Sequence, residues 1–152
     1  MPTSPRRVPP HCALKVDRKK AFDLVEWSFL GAVLVAFGFP TWLTNRVMAC
    51  VSFARLSISL NGELVGYFPS SKGLRQGDPL SLLVFVIAME VFIGMMKINT
   101  MDPSFKFHWR CKTMGLTHLC FVENILIFST VEVESVRLIM DTLNGSSQLS
   151  IL

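Results

Sequence analysis

Apolar and polar residues alternate strictly over Leu56–Leu60, and a second apolar run follows over Glu63–Phe68. The pair Asn61-Gly62 separates the two runs. Asn-Gly between two such runs is the strongest short-range signature of a β-hairpin with a type I′ turn. The sequence therefore predicts a β-hairpin over Leu56–Phe68.

Helical and strand patterns lie on both sides of this hairpin. Helical spacing of apolar residues predicts helices over about Ser28–Phe37, Thr41–Ser52, Leu80–Lys97 and Val131–Leu143. Short apolar runs predict strands over Cys12–Asp17, Leu116–Phe121 and Ile125–Ser129. Because strands and helices are interspersed, we expect an α+β fold in which helices pack on one face of an antiparallel sheet.

The high apolar content raises the question of a membrane. Hydrophobic residues make up 51% of the chain, which argues against disorder. The stretch Leu80–Met96 is seventeen residues long, near the lower limit for a span, and Glu90 lies in its middle. Since a carboxylate in lipid is costly, a buried helix is favoured over a membrane span. A small membrane protein remains the third alternative, and no membrane partner is expected.

The N-terminal residues and the cysteines indicate a compartment. Residues 1–11 form a Pro/Arg-rich tail without the apolar segment of a secretory signal. The four cysteines form no C-x-x-C pair and show no disulfide-framework spacing. We therefore expect an intracellular protein with reduced thiols, and the sequence does not distinguish nucleus from cytoplasm. The net charge of +4 is compatible with a polyanionic partner.

A polar loop over Gly73–Ser81 leads into the most apolar helix. Asp78 is a good N-cap, and Pro79 follows at the first helical position, where its missing N–H costs nothing. A loop held at a helix N-terminus suits phosphate or nucleotide binding. The sequence Gly-Leu-Arg-Gln-Gly-Asp-Pro-Leu-Ser resembles the template and nucleotide motif of reverse transcriptases from non-LTR (LINE-type) retrotransposons and their group II intron relatives.

Other segments resemble the same family in the same order. Lys15–Asp23 resembles its first catalytic motif, and three short phrases look like plant-type members: Gly38–Pro40, Leu60–Glu63 and Gly115–Phe121. The resemblance runs from Cys12 to Leu149. It implies a polymerase palm, the nucleotidyltransferase core of an RNA-directed DNA polymerase, with an RNA template, a DNA primer and Mg²⁺. Residues 12–149 would then be a partial domain that lacks most of the fingers and all of the thumb.

The resemblance also assigns roles to individual residues. It makes Asp17 the metal-binding aspartate of the first motif and Phe22 the aromatic gate against the ribose 2′-hydroxyl. It places Arg75, Gln76 and Gly77 at nucleotide and template contacts. Nucleotidyl transfer needs carboxylates from separate elements to hold two divalent metals about 4 Å apart. From the residues alone, capping of the turn that follows is the favoured role of Asp17.

The chain departs from the family pattern at the second catalytic motif. Where the family has Phe-Ala-Asp-Asp, Phe121 is followed by Val122, Glu123 and Asn124. Glu123 is one methylene longer than aspartate, Asn124 is neutral, and Val122 is β-branched at a tight tip. Asp17 and Glu123 are therefore expected to hold Mg²⁺ weakly, if at all. Arg18, beside Asp17, is a further departure from the family.

Three hypotheses follow from these patterns. The main one is a truncated, catalytically inactive reverse transcriptase palm, the second is a non-catalytic nucleic-acid-binding module, and the third is a small membrane protein built on Leu80–Met96. Apolar surface left uncovered would call for a partner protein. Four potential zinc ligands lie within a short span, His108, Cys111, His118 and Cys120, but their spacing does not match structural zinc sites. Ordinary packing is favoured for these four residues.

Overall fold

The chain forms an α+β fold, as predicted. The computed structural model describes residues 10–17, 20–53 and 55–148. The strands are β1 (His11–Asp17), β2 (Arg55–Leu60), β3 (Glu63–Pro69), β4 (His118–Phe121) and β5 (Asn124–Thr130). The helices are α1 (Ala21–Leu24), α2 (Trp27–Ala36), α3 (Thr41–Ser52), α4 (Pro79–Thr100) and α5 (Val133–Gln148), with a 3₁₀ turn at Lys112–Met114. The described residues divide into two compact units, residues 10–17 with 94–144 and residues 20–93 with 145–148.

A three-stranded antiparallel sheet lies in the first unit. Its strand order is β1-β5-β4, so the first predicted strand pairs with the second predicted hairpin. Burial alternates along β5, where Ile125, Ile127 and Ser129 are fully buried and the residues between them are half-buried. This alternation is that of a sheet covered on one face, as the sequence predicts.

Helix α5 is longer than predicted. Its buried residues recur at helical spacing, Ser135, Ile139, Thr142 and Ser146, and so form one stripe. The prediction that the helix ends near Leu143 is wrong, because α5 continues to Gln148. Glycine costs about 1 kcal/mol in a helix interior. Burial of residues on both sides of Gly145 outweighs that cost.

The β2–β3 hairpin in the second unit confirms its prediction. Asn61 and Gly62 both have positive φ, 51° and 88°, as a type I′ turn requires. The register shifts between Leu56 and Ile58, which marks a bulge in β3 at Gly66 and Tyr67, opposite Ser57. Every residue of both strands is exposed, so neither face of this two-stranded ribbon is covered.

Helix α4 begins where the capping residues predict. The Asp78 side chain accepts a hydrogen bond from the Leu80 N–H at 2.9 Å, and Pro79 is the first helical residue. By length and composition α4 could cross a membrane, with 22 residues and a mean hydropathy of 2.2. Its buried residues nevertheless lie at helical spacing: Ser81, Val84, Phe85, Ala88, Met89, Phe92 and Met96. A single buried stripe is typical of a core helix, which favours that interpretation over a membrane span.

Candidate catalytic edge and nucleic-acid-binding loop

Asp17 lies at an edge of the three-stranded sheet, directly opposite Asn124. Asp17 is the last residue of β1 and Asn124 the first of β5, and the two are register partners. Asn124 also faces Phe121, the last residue of β4. Directly opposite residues of antiparallel strands share a face, with Cβ atoms about 4.5–5.5 Å apart. The topology therefore brings Asp17 next to the tip of the second hairpin, and the partner that it meets there is an amide.

The tip itself is a strained two-residue turn. Val122 and Glu123 connect β4 to β5, and Val122 has a φ of +51°. Left-handed backbone at a residue with a Cβ costs roughly 1–2 kcal/mol, and a β-branched side chain tolerates it poorly. The sequence predicted that β-branching would be unwelcome here. The backbone angle gives the physical reason.

The donors at this edge do not fit a two-metal site. The edge supplies the Asp17 carboxylate, the Asn124 amide and, within the turn, the half-buried Glu123. Within residues 10–17, 20–53 and 55–148, no three His, Cys, Asp or Glu side chains are placed to hold one metal ion. Mg²⁺ is held by hard oxygen ligands, and a two-metal site needs carboxylates that bridge both ions. In the described part of the chain, His108, Cys111, His118 and Cys120 likewise form no cluster that could hold a metal ion.

The polar loop of the second unit is fastened to the chain around α1. The Gly73 N–H donates to the Val25 carbonyl at 2.8 Å, and the Leu74 N–H donates to the Phe22 carbonyl at 2.7 Å. The Trp27 indole N–H donates to the Gly73 carbonyl at 2.8 Å. A Cβ on Gly73 would lie 2.8 Å from the Asp23 carbonyl oxygen. Glycine is therefore required here by the protein's own backbone.

Gly77 differs from Gly73 in its surroundings. It has a φ of +86°, and a Cβ there would meet nothing within 4 Å. Arg75, Gln76 and Gly77 are all exposed. Arg75 and Gln76 line an open cleft of about 630 Å³, together with residues of β2 and of the segment before the loop. The loop thus has one end bound to the protein and the other open to a ligand.

The cleft contains two cations that sequence reasoning did not single out. Arg55, at the start of β2, and Lys72 line it, and Asp23 contributes one negative charge. The signal for Arg55 was weak, since nothing local to the hairpin indicates that its first residue faces the Gly73 loop. Only tertiary contact reveals that placement.

Phe22 lies in the core of the second unit. Its side chain is 8% exposed, and its ring stacks on that of Phe85 with centroids 4.4 Å apart and planes 16° apart. Stacked rings at this separation add to the stability of a core. The role of Phe22 as a gate against a ribose hydroxyl stays a prediction.

Comparison with known families gives this geometry its context. The model of the family "Reverse transcriptase (RNA-dependent DNA polymerase)" matches residues 6–149, nearly the whole chain. The chain belongs to the reverse transcriptase family. Reverse transcriptases bind a nucleic-acid template and primer and generally use divalent metal ions. Family membership confirms the resemblance that the motifs indicated.

Two relatives are proteins of a retrotransposable element and of a transposon. The Retrovirus-related Pol polyprotein from type-1 retrotransposable element R2 of Popillia japonica is 24% identical over 121 residues, or 80% of this chain. The Transposon TX1 uncharacterized 149 kDa protein of Xenopus laevis is 29% identical over 84 residues, or 55% of this chain. The matches span 19% and 6% of those proteins. The likeness to plant-type members stays a prediction.

Proposed function

We propose that this reverse transcriptase domain lacks polymerase activity and retains the binding of nucleic acid. The observation that carries the proposal is the pairing of Asp17 with Asn124. An amide at this position brings no negative charge to offset a cation. The donor set therefore lacks a carboxylate at the place where the sheet brings the two catalytic motifs together.

The size of the defect follows from electrostatics. Phosphoryl transfer depends on charge stabilisation at fixed positions, and losing one such contact typically costs about 3–4 kcal/mol of barrier lowering. That is a loss of about 100- to 1,000-fold in rate. Glu123 adds to the loss, because its longer side chain starts from the strained turn at Val122. Removal of the charge at Asn124 is expected to cost the most.

Primer extension on an RNA template with deoxynucleotides and Mg²⁺ tests the loss of activity. The chain as given is expected to extend no primer. The double variant Glu123→Asp/Asn124→Asp is expected to recover Mg²⁺ binding, measured by calorimetry, before it recovers turnover, because turnover also requires the primer to be positioned. Template-dependent extension by the unaltered chain, abolished by Asp17→Ala, would overturn the proposal.

The retained binding is supported by the loop of the second unit. Arg75 and Gln76 are exposed beside an open cleft, and Gly77 leaves room for a ligand to approach the backbone. Affinity that comes from phosphate contacts falls steeply with salt. Fluorescence anisotropy with a labelled RNA, repeated over a range of KCl concentrations, measures this dependence. The Asn124 position is not part of the loop, so Asn124→Asp is expected to leave the loop's affinity unchanged in the absence of divalent metal.

A further inference from the structure

A cationic cleft borders the β2–β3 ribbon in the second unit. We propose that Arg55, oriented by Tyr67, binds the phosphate backbone of a single-stranded nucleic acid that lies in this cleft. The inference rests on the nucleic-acid binding proposed above. It assigns to that binding a residue that lies outside the loop Gly73–Ser81 and outside the other segments that resemble the family.

Tyr67 fixes the position of the Arg55 guanidinium. The guanidinium carbon lies 5.0 Å from the centroid of the Tyr67 ring, and this ring is 69% exposed. Arg55 pairs with Pro69, so Tyr67 is its diagonal neighbour across the two strands. The β-bulge at Gly66, where φ is +76°, bends β3 just before Tyr67. A guanidinium held over a ring is ordered before any ligand arrives, which lowers the entropy cost of binding.

The cations of the cleft are only partly neutralised. Lys72 forms an ion pair with Glu26, at 3.5 Å. Arg55 and Arg75 form no ion pair among the residues that the structure describes. Both line the cleft, with Asp23 as its one acidic side chain. Two unpaired arginines therefore face the same open space, and a planar guanidinium matches phosphate geometry in a bidentate way.

The aromatic surroundings favour a single-stranded nucleic acid over an acidic protein. Three exposed rings adjoin residues that line the cleft: Tyr67 contacts Arg55, Phe68 is the register partner of Leu56, and Phe53 lines a separate recess together with Arg75. Proteins that bind single strands combine a positively charged groove with aromatic rings on which bases stack. A peptide with carboxylates would satisfy the arginines but would make no such use of the rings. A duplex would keep its bases stacked on each other, so its bases would not stack on these rings.

Anisotropy with a short fluorescein-labelled RNA of mixed sequence tests the proposal on the full chain. Arg55→Gln removes one phosphate contact and is expected to weaken binding about fivefold to tenfold. The loss should be the same for RNAs of different sequence, because a phosphate contact is independent of sequence. The slope of log affinity against log salt should fall by about 0.7, the contribution of one phosphate contact on a single strand. Tyr67→Leu should weaken binding with a smaller change in slope, and Tyr67→Phe should behave as the unaltered chain does.

Arg46→Gln is the matched control. The Arg46 guanidinium also lies over an aromatic ring, 5.7 Å from the centroid of Trp42, but Arg46 is on α3 and does not line the cleft. This variant is expected to keep both affinity and salt slope. Arg55→Lys keeps the charge and should keep the slope while it loses part of the affinity. Circular dichroism of each variant separates loss of the ribbon from loss of the contact.

Three outcomes would overturn the inference. Equal RNA affinity of Arg55→Gln and Arg46→Gln would refute it. In that case, a loss of affinity in Arg75→Gln would still support the proposed function. Absence of RNA binding by the unaltered chain at low salt would refute both. Competition by polyglutamate that matches competition by unlabelled RNA, with the same dependence on Arg55, would assign the cleft to acidic proteins instead.

Discussion

Replacement of Gly73 by alanine tests how the polar loop Gly73–Ser81 is held. Gly73 has a φ of +88°, and its added Cβ would lie 2.8 Å from the Asp23 carbonyl oxygen and 3.0 Å from two more backbone atoms of Asp23. Backbone atoms cannot swing aside as a flexible side chain does. The loop must therefore move away from the segment that contains Phe22 and Val25.

The magnitude follows from a comparison with Gly77. Both glycines have positive φ, so alanine at either position bears the left-handed penalty of about 1 kcal/mol. At Gly77 nothing lies within 4 Å of the added Cβ, and we expect no further loss. At Gly73 the movement weakens the hydrogen bonds to the Val25 and Phe22 carbonyls, each worth about 1 kcal/mol. Gly73→Ala is thus expected to destabilise the protein by about 3 kcal/mol and Gly77→Ala by about 1 kcal/mol.

Urea unfolding followed by tryptophan fluorescence, at submicromolar concentration, measures both variants. Trp27 is half-buried and bonded to Gly73, whereas Trp42 and Trp109 are 61% and 57% exposed, so the change in emission reports mainly on the Gly73 region. In a thermal melt, 1 kcal/mol corresponds to about 2–4 °C for a chain of this size. Equal destabilisation by Gly73→Ala and Gly77→Ala would refute the close-approach argument.

Three further predictions concern stability and association. Val122→Gly should stabilise the protein by about 1 kcal/mol in the same unfolding assay, because it relieves left-handed strain at a φ of +51°, and a lower midpoint would contradict this. Thr142→Val should destabilise the protein by about 1–2 kcal/mol. The buried Thr142 hydroxyl accepts a hydrogen bond from the Asn99 amide at 2.7 Å and donates one to the Leu138 carbonyl at 2.9 Å. An unchanged unfolding midpoint would refute this prediction. Light scattering should show that the protein self-associates through the uncovered β2–β3 ribbon. Replacement of the exposed Leu64 and Val65 by threonine should reduce this association. A monodisperse monomer of the unaltered chain would count against this account.

Local chemistry made several elements predictable from the sequence alone. The Asn61-Gly62 turn and the start of α4 at Asp78-Pro79 were predicted at their observed positions, and the end of α2 was predicted near Phe37, one residue beyond the observed last residue, Ala36. Gly38 closes α2 with hydrogen bonds of its own N–H to Val35 and of the next N–H to Leu34. These features depend on interactions among residues within about one helical turn of each other, so the order of residues contains the information.

Resemblance to the family motifs also identified residues of the candidate site, but it did not show how those residues are arranged. The sequence named Asp17, Glu123 and Asn124, and the replacement of the usual aspartates was visible without a structure. Which of the two substitutes lies opposite Asp17 depends on strand register. Register depends on how the whole sheet buries Ile125 and Ile127, because a shift of one residue would turn these side chains to the other face.

The tertiary structure alone decided the contacts between distant segments. Gly73 is a glycine because Asp23, fifty positions earlier, passes too close for a Cβ. Arg55 reaches the open cleft because the ribbon ends beside the Gly73 loop. Helix α5 passes through Gly145 because residues on both sides of it are buried. Each of these outcomes is set by chain packing over long sequence separations, and no local pattern of residues encodes such packing.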